Sequence, residues 1–390
     1  MKKWLVPLAF ALTLWSCSGG SNDTILNTDT DQLDRSAQVG GNFLDVATFP
    51  TDRLEFGGDR DELEALIDQT MVPIGDPTTS YVQLDDRILG IEINGEARAY
   101  PHNMFWWHEI ANDIVGGVPI VVSYCPLTGT GMAFDARDSD GSRIILGVSG
   151  LLFNNNLVMY DQRDQETLYL QIVGRGVTGP RKGAILKQIP VVETTWGYWQ
   201  QLHPTTLVLS GFTDFDPGGL YSNNPYIRDD IQGISGTVDL NRDLHEHIPF
   251  PLTLPIDQNP IGSLLQNKDL VLGVRFGEIA KAYPTVNLGN RAVINDEVDG
   301  NPLVVIYHAD EKMIVPFSRQ VEGQTLTFDM IESDQSTFPF LLKDQETGTI
   351  WNLRGEAFRG QHTGKRLTQV PATNAYWFAW ATFWQNTGIY

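Results

Sequence analysis

Two adjacent motifs bring together residue types that do chemistry. His108 and Glu109 close the run Trp106-Trp107-His108-Glu109, and Cys125 opens Cys125-Pro126-Leu127-Thr128-Gly129-Thr130. An imidazole, a carboxyl, a thiol and two hydroxyls support three chemistries. In the first, the Cys125 thiolate and His108, with Glu109, His308 or one of His245 and His247, form a donor set for a soft or borderline metal such as copper or zinc. In the second, His108 lowers the pKa of Cys125 and makes it the nucleophile of a cysteine-dependent enzyme. In the third, Cys125 is a small buried apolar residue and His108 a hydrogen-bonded structural histidine, in an envelope protein that binds partners without catalysis. The first two need His108 near Cys125 in space. Thr128, Thr130 and Asn154 are the candidates for holding a small ligand.

Other signals are weaker. His245-Glu246-His247 puts two imidazoles on one side of an extended segment, without a spaced partner motif. Asp138-Ser139-Asp140-Gly141 resembles part of a calcium loop, but Ala136 and Gly147 occupy the first and twelfth positions, so it reads as a turn. Asn154-Asn155-Asn156, after a turn expected at Gly150, suits a loop that tolerates left-handed backbone. No Walker loop, dinucleotide fingerprint, GxSxG elbow or HExxH motif occurs.

The elements that must position these groups follow from an expected internal duplication. Ile88 to Pro101 recurs as Val271 to Pro284, a spacing of 183 residues, and Ile110 to Tyr124 recurs at the same spacing as Val293 to Tyr307. Further on, Gly174, Gly179, Pro190, Trp196 and Trp199 match Gly355, Gly360, Pro371, Trp377 and Trp380. Positions that diverge into reactive types between copies are candidates for function: His108 faces Arg291, Glu109 faces Ala292, and Cys125 faces His308. Ile88 to Tyr100 alternates around Asn94-Gly95, the dipeptide of a type I′ hairpin, and the second copy turns at Phe276-Gly277. Val118 to Tyr124 and Leu303 to Tyr307 read as strands buried on both faces. Arg143 to Val148 and Leu157 to Tyr160 add strands. The tryptophans of Glu193 to Leu202 and Asn374 to Phe383 suit a helix face packed in a core. The expected fold is α+β and strand-dominated, with two duplicated β-rich modules packed together.

The 390 residues are 42% hydrophobic and 19% charged, which excludes a disordered, collagenous or coiled-coil chain. The net charge of -21 opposes a nucleic-acid partner, since phosphates need a basic surface. Two cysteines cannot form a disulfide scaffold. Lys2 and Lys3, an apolar run from Trp4 to Leu14 and Ser16-Cys17 read as a signal segment over residues 1–17. It resembles a bacterial lipoprotein signal in which Cys17 takes the lipid and anchors the protein to the membrane. A polar tether over 18–48 follows, then the first repeat with an N-terminal extension over 49–211. A Pro-rich connector covers 212–267 and the second repeat 268–390. The expected location is the periplasmic or surface face of a bacterial membrane.

The stretches IEINGEARAYP, WWHEIANDIVGGVPIVVSYCPLTGTGMAFD, GVSGLLFNNNLVMYD and YWFAWATF, in that order, resemble one family, domain of unknown function 3179. The resemblance spans about Phe49 to Tyr390. It implies an exported or envelope-associated prokaryotic protein and implies no activity. Some family members have a second cysteine where this chain has Thr128. With Thr128 in that place, this chain lacks the resolving thiol that a thioredoxin-like dithiol exchange needs.

Overall fold

The β-branched alternation around Asn94-Gly95 folds as expected. Strand β4 (Arg87–Ile93) pairs antiparallel with β5 (Glu96–Pro101), and Asn94 and Gly95 take φ of +51° and +82°, the left-handed pair of a type I′ turn. The computed structural model describes residues 46–213, 220–222, 227–228, 238–239, 248, 250, 252, 265–277 and 279–390. Cys17, the signal segment, most of the tether, His245 and His247 lie outside the described residues.

The hairpin sits in a sheet of order β14-β4-β5-β15-β3, with β3 at Met71–Pro73, β14 at Val192–Thr195 and β15 at Leu207–Leu209. A second sheet runs β13-β8-β7-β6-β2, from Lys187–Ile189 through Thr130–Asp135, Val118–Cys125 and Ile110–Val115 to Leu66–Ile67. A third runs β1-β9-β10-β11-β12, from Glu55–Phe56 through Leu146–Phe153, Asn156–Asp161 and Leu168–Leu170 to Arg175–Gly176. Two expectations shift. Arg143 makes only an isolated bridge to Arg137, closing the Asp138–Gly141 turn, so the strand expected from Arg143 begins at Leu146. Gly150, with φ of +75°, is a bulge inside β9 and not a turn, because the register slips between the pairs Val158–Leu151 and Met159–Val148.

Helix α1 (His102–His108) follows β5, and α2 (Trp196–Leu202) follows β14, its N-terminus capped by the Thr195 hydroxyl accepting from the Tyr198 N–H at 3.2 Å. The ring of Trp199 lies so close to Gly90 that a Cβ there would fall 2.4 Å from it, so β4 needs glycine at that point. Trp196, Trp199, Trp377 and Trp380 are all buried core residues.

Strand β16 (Ile227–Arg228) pairs with β17 (Val238–Asp239). Strands β18 (Leu270–Phe276) and β19 (Ile279–Pro284) form a hairpin whose last pair is Phe276 with Ile279, so Phe276 is still in the strand and the turn begins at Gly277, one residue later than expected. Their sheet has the order β29-β18-β19-β30, with β29 at Ala372–Tyr376 and β30 at Gly388–Ile389. A second has the order β20-β21-β22 (Arg291–Val298, Asn301–His308, Met313–Ser318). The short pair β23 (Gln320–Val321) and β24 (Gln324–Thr325) precedes a sheet β25-β26-β27-β28 (Phe328–Glu332, Phe340–Asp344, Ile350–Trp351, Ala357–Arg359), and α3 spans Trp377–Phe383. The described chain is thus α+β and strand-dominated, with three short α-helices.

Bonds of one part recur in the other. Tyr100 donates to Asp113 at 2.6 Å and Tyr283 to Asp296 at 2.8 Å. The Trp199 indole donates to Thr206 at 2.9 Å and that of Trp380 to Thr387 at 3.0 Å. Across the seam, the Tyr376 N–H donates to the Thr128 carbonyl at 2.9 Å, and the Thr195 N–H to the Glu311 carbonyl at 3.1 Å. Gln188 donates to the Ala372 carbonyl at 3.0 Å, and Gln369 to that of Val191 at 3.2 Å. At the centre, Asn374 donates to the buried Glu193 carboxylate at 2.9 Å, which Arg87 neutralises at 2.8 Å. Such reciprocal bonds join residues 81–211 and 268–390 into one compact unit.

Candidate functional site

Glu109, Thr128 and Thr130 lie around Cys125 at the end of β7. Helix α1 stops at Glu109, whose φ of +54° is left-handed for a residue with a Cβ, a strain of about 1–2 kcal/mol. Its carbonyl accepts the Tyr124 N–H at 2.8 Å, which pins the helix end beside Cys125. Burial pushes the Glu109 carboxyl up to about 8. Among the described residues none gives that carboxyl a side-chain hydrogen bond or ion pair. Cys125 is fully buried, and its thiol faces the Asn155 carbonyl at 3.5 Å. Burial first, and the neighbouring Glu109 charge second, push this thiol up to about 11.

His108 points elsewhere. Its Nδ1 lies 2.6 Å from the Glu64 carbonyl and its Nε2 2.6 Å from the Tyr221 hydroxyl, which reaches Thr213 at 2.7 Å. Burial lowers its pKa to about 4, so the ring is neutral at pH 7. Both nitrogens are engaged, and the ring is a clamp on the connector at Tyr221. Asn155 provides a second clamp: its side chain donates to the Phe250 carbonyl at 3.0 Å and accepts the Phe250 N–H at 2.8 Å. Asn154 and Asn155 turn the β9–β10 hairpin at φ of +48° and +66°, as their sequence suggests. Thr128 and Thr130 face inward. Their hydroxyls lie 2.9 Å apart, and with Asn156 and Gln171 they form a closed buried network, Thr130 donating to Gln171 at 2.6 Å and Asn156 at 2.8 Å.

His308 ends β21 as Cys125 ends β7, but packs between Tyr198 and Phe340 in a separate core. No group of three or more His, Cys, Asp or Glu side chains among the described residues is placed to hold a metal ion. The structure therefore does not assemble the expected donor set of Cys125, His108 and His308.

Sequence reasoning missed Lys268. Its ammonium donates to the Leu127 carbonyl at 3.1 Å and stands 4.5 Å from the ring centre of Tyr376 and 5.2 Å from that of Phe378. Burial lowers its pKa to about 8, opposed by the charge of Cys125 nearby. The signal was in the repeat comparison, where Lys268 faces Asp85 at the spacing of 183. Tyr221 had no such signal, because a spacing of 183 residues places no counterpart for it within either copy.

The site defines a class: a strand-dominated α+β protein with a desolvated thiol, carboxyl and amine at a seam, and polar clamps of His108 on Tyr221 and Asn155 on Phe250. Residues 60–387 match the model of a family described as "Protein of unknown function (DUF3179)", and the chain belongs to that family. No curated protein and no solved structure matches it.

Proposed function

We propose that the protein is a cell-envelope protein, exported and held to the membrane through lipid on Cys17, that works by binding partners and not by catalysis. We infer also that residues 49–211 and 268–390 are two copies of one unit, which the recurring bonds at matched spacing support. The observation that carries the binding reading is the His108 ring held between Glu64 and Tyr221, with no nitrogen left to activate a thiol or ligate a metal. A thiol that ionises only at high pH is a poor nucleophile at neutral pH. The basic, apolar, cysteine-ended start supports export and lipidation. No helix among the described residues is long and apolar enough to cross a membrane.

A second reading has one specific observation in its favour. Glu109, Cys125 and Lys268 gather three desolvated ionisable groups at the seam, a setting in which a small polar ligand would be held. Two measurements test the proposal. Labelled palmitate should enter the full chain and not its Cys17→Ser variant. Protein purified without chelator should contain well under one copper or zinc per chain; one equivalent, lost in Cys125→Ala, would overturn the binding reading.

A further inference from the structure

One face of the first half carries exposed cations in a chain whose net charge is -21. Between Thr167 and Val192 stand Arg175, Arg181, Lys182 and Lys187 and no acidic residue. The backbone gathers three of these around one apolar side chain. The Gly176 N–H donates to the Ala184 carbonyl at 2.9 Å and the Leu186 N–H to the Gly174 carbonyl at 2.8 Å, so the two stretches run antiparallel with Arg175 bridged to Ile185. Bridged partners point to one face, and so does Lys187, two residues past Ile185 in extended chain. Leu186, between them, points the other way into a core. Ile185 is 73% exposed, Lys187 and Lys182 at the turn are exposed, and Arg175 is half-buried.

The neighbouring acids are answered by other cations. Asp135, opposite Lys187 in the ladder, pairs with Arg137, while Asp138 and Asp164 pair with Arg181 at 2.8 Å and 2.6 Å. Glu166 stands beside the turn, its carbonyl accepting the Thr178 hydroxyl at 2.8 Å. Arg175, Lys182 and Lys187 have no ion pair among the described residues. The second half differs at the matched positions. There Arg366 bonds Glu92 at 2.6 Å, whereas the positions that match these two hold Ile185 and Arg275. Arg275 lies over the Trp384 ring at 4.6 Å and also lacks an ion pair among the described residues.

The chain's own course says what covers this face. The described residues begin at Val46, and the Lys182 ammonium donates to the Ala47 carbonyl at 3.2 Å. Phe49 packs in the same core as Leu170, the ladder partner of Arg175. The covalent connection to Cys17 therefore leaves the described fold beside these cations. Cations near a bilayer attract anionic headgroups, an apolar side chain among them enters the interface, and a basic patch supplies the second signal that a lipid chain needs for stable anchoring. We propose that the face of Arg175, Lys182, Ile185 and Lys187 rests on a bilayer of anionic phospholipid. This rests on the reading above that Cys17 carries lipid.

The test uses the full lipid-bearing chain in vesicles of phosphatidylcholine, alone or with about 30% phosphatidylglycerol. A fluorophore is attached to the Ile185→Cys variant and, as a control, to Thr363→Cys, which changes the exposed residue that matches Lys182 in the second half, both with Cys125→Ala. Brominated lipid should quench the label on Ile185→Cys roughly fivefold more with phosphatidylglycerol than without, and should leave the label on Thr363→Cys unquenched. Adding Lys182→Gln and Lys187→Gln should reduce the quenching at least twofold while the unfolding midpoint stays unchanged. Equal quenching on the two kinds of vesicle would mean apolar adsorption without charge and would overturn the proposal. So would an unquenched label on Ile185→Cys, equal quenching on Thr363→Cys, or quenching undiminished by the glutamines. A chain that takes up no palmitate would overturn the parent reading and this proposal together. A palmitate-bearing chain with an unquenched face would overturn this proposal alone, so the two failures are distinguishable.

Discussion

Acid should unfold this protein in part through His108, and the size of that effect follows from the structure. The ring is buried and neutral, with its pKa lowered from the ordinary 6.5 to about 4. Above pH 6.5 neither the folded nor the unfolded chain binds the proton, and this histidine adds no pH dependence. As pH falls below 6.5 the unfolded chain protonates first, so stability drops until the folded pKa is reached. At about 1.4 kcal/mol per pH unit the loss is about 2 kcal/mol at pH 5 and about 3 kcal/mol by pH 4. His108→Gln retains a donor and an acceptor without a titratable ring. It should cost on the order of 1 kcal/mol at pH 7, for imperfect bonds to Glu64 and Tyr221. It should also remove about 2 kcal/mol of the fall between pH 7 and pH 5. Urea unfolding followed by tryptophan fluorescence at pH 7, 6 and 5 measures both quantities. His102 and His203 also have lowered pKa values and titrate in both proteins, so the difference between the two curves isolates His108. Parallel pH profiles for the two proteins would refute the buried clamp.

Three further outcomes follow. Gly273→Ala places a Cβ 2.1 Å from the Trp380 ring and should cost about 1–3 kcal/mol in urea unfolding, as should Gly90→Ala against Trp199. Gln171→Leu leaves the Thr130 and Asn156 donors without their acceptor inside the core and should cost about 3 kcal/mol, read in the same way. Glu109→Gln acts on pH dependence with the opposite sign to His108. A carboxyl raised to about 8 makes the folded state lose stability as pH rises from the usual carboxylate range, so the variant should be flatter between pH 5 and pH 8. The same variant should lower the pH at which Cys125 ionises, because a neighbouring negative charge is removed.

The hairpin at Asn94-Gly95, the buried β7 and the core tryptophans were legible because each depends on local chemistry: a dipeptide made for positive φ, an unbroken β-branched run, aromatic spacing on one helix face. Matched spacing carried the same reading into the second half. The partners of the candidate residues were not legible. His108 meets Glu64 and Tyr221, and Lys268 from the far half reaches the Leu127 carbonyl two residues past Cys125, so each contact depends on how distant segments return. Gly150 misled for a different reason: a glycine that marks a turn also marks a bulge, and only the pairing of β9 with β10 separates them.

The central claim, that the Cys125 thiol is structural, is tested most directly by its rate of reaction with iodoacetamide against pH in the Cys17→Ser chain. A thiol pushed up to about 11 should react at pH 8 roughly a hundredfold or more slowly in the folded protein than in urea, with its rate rising only above pH 10. A folded protein whose thiol reacts at pH 8 as fast as the unfolded chain would contradict the account and return Cys125 to the role of nucleophile.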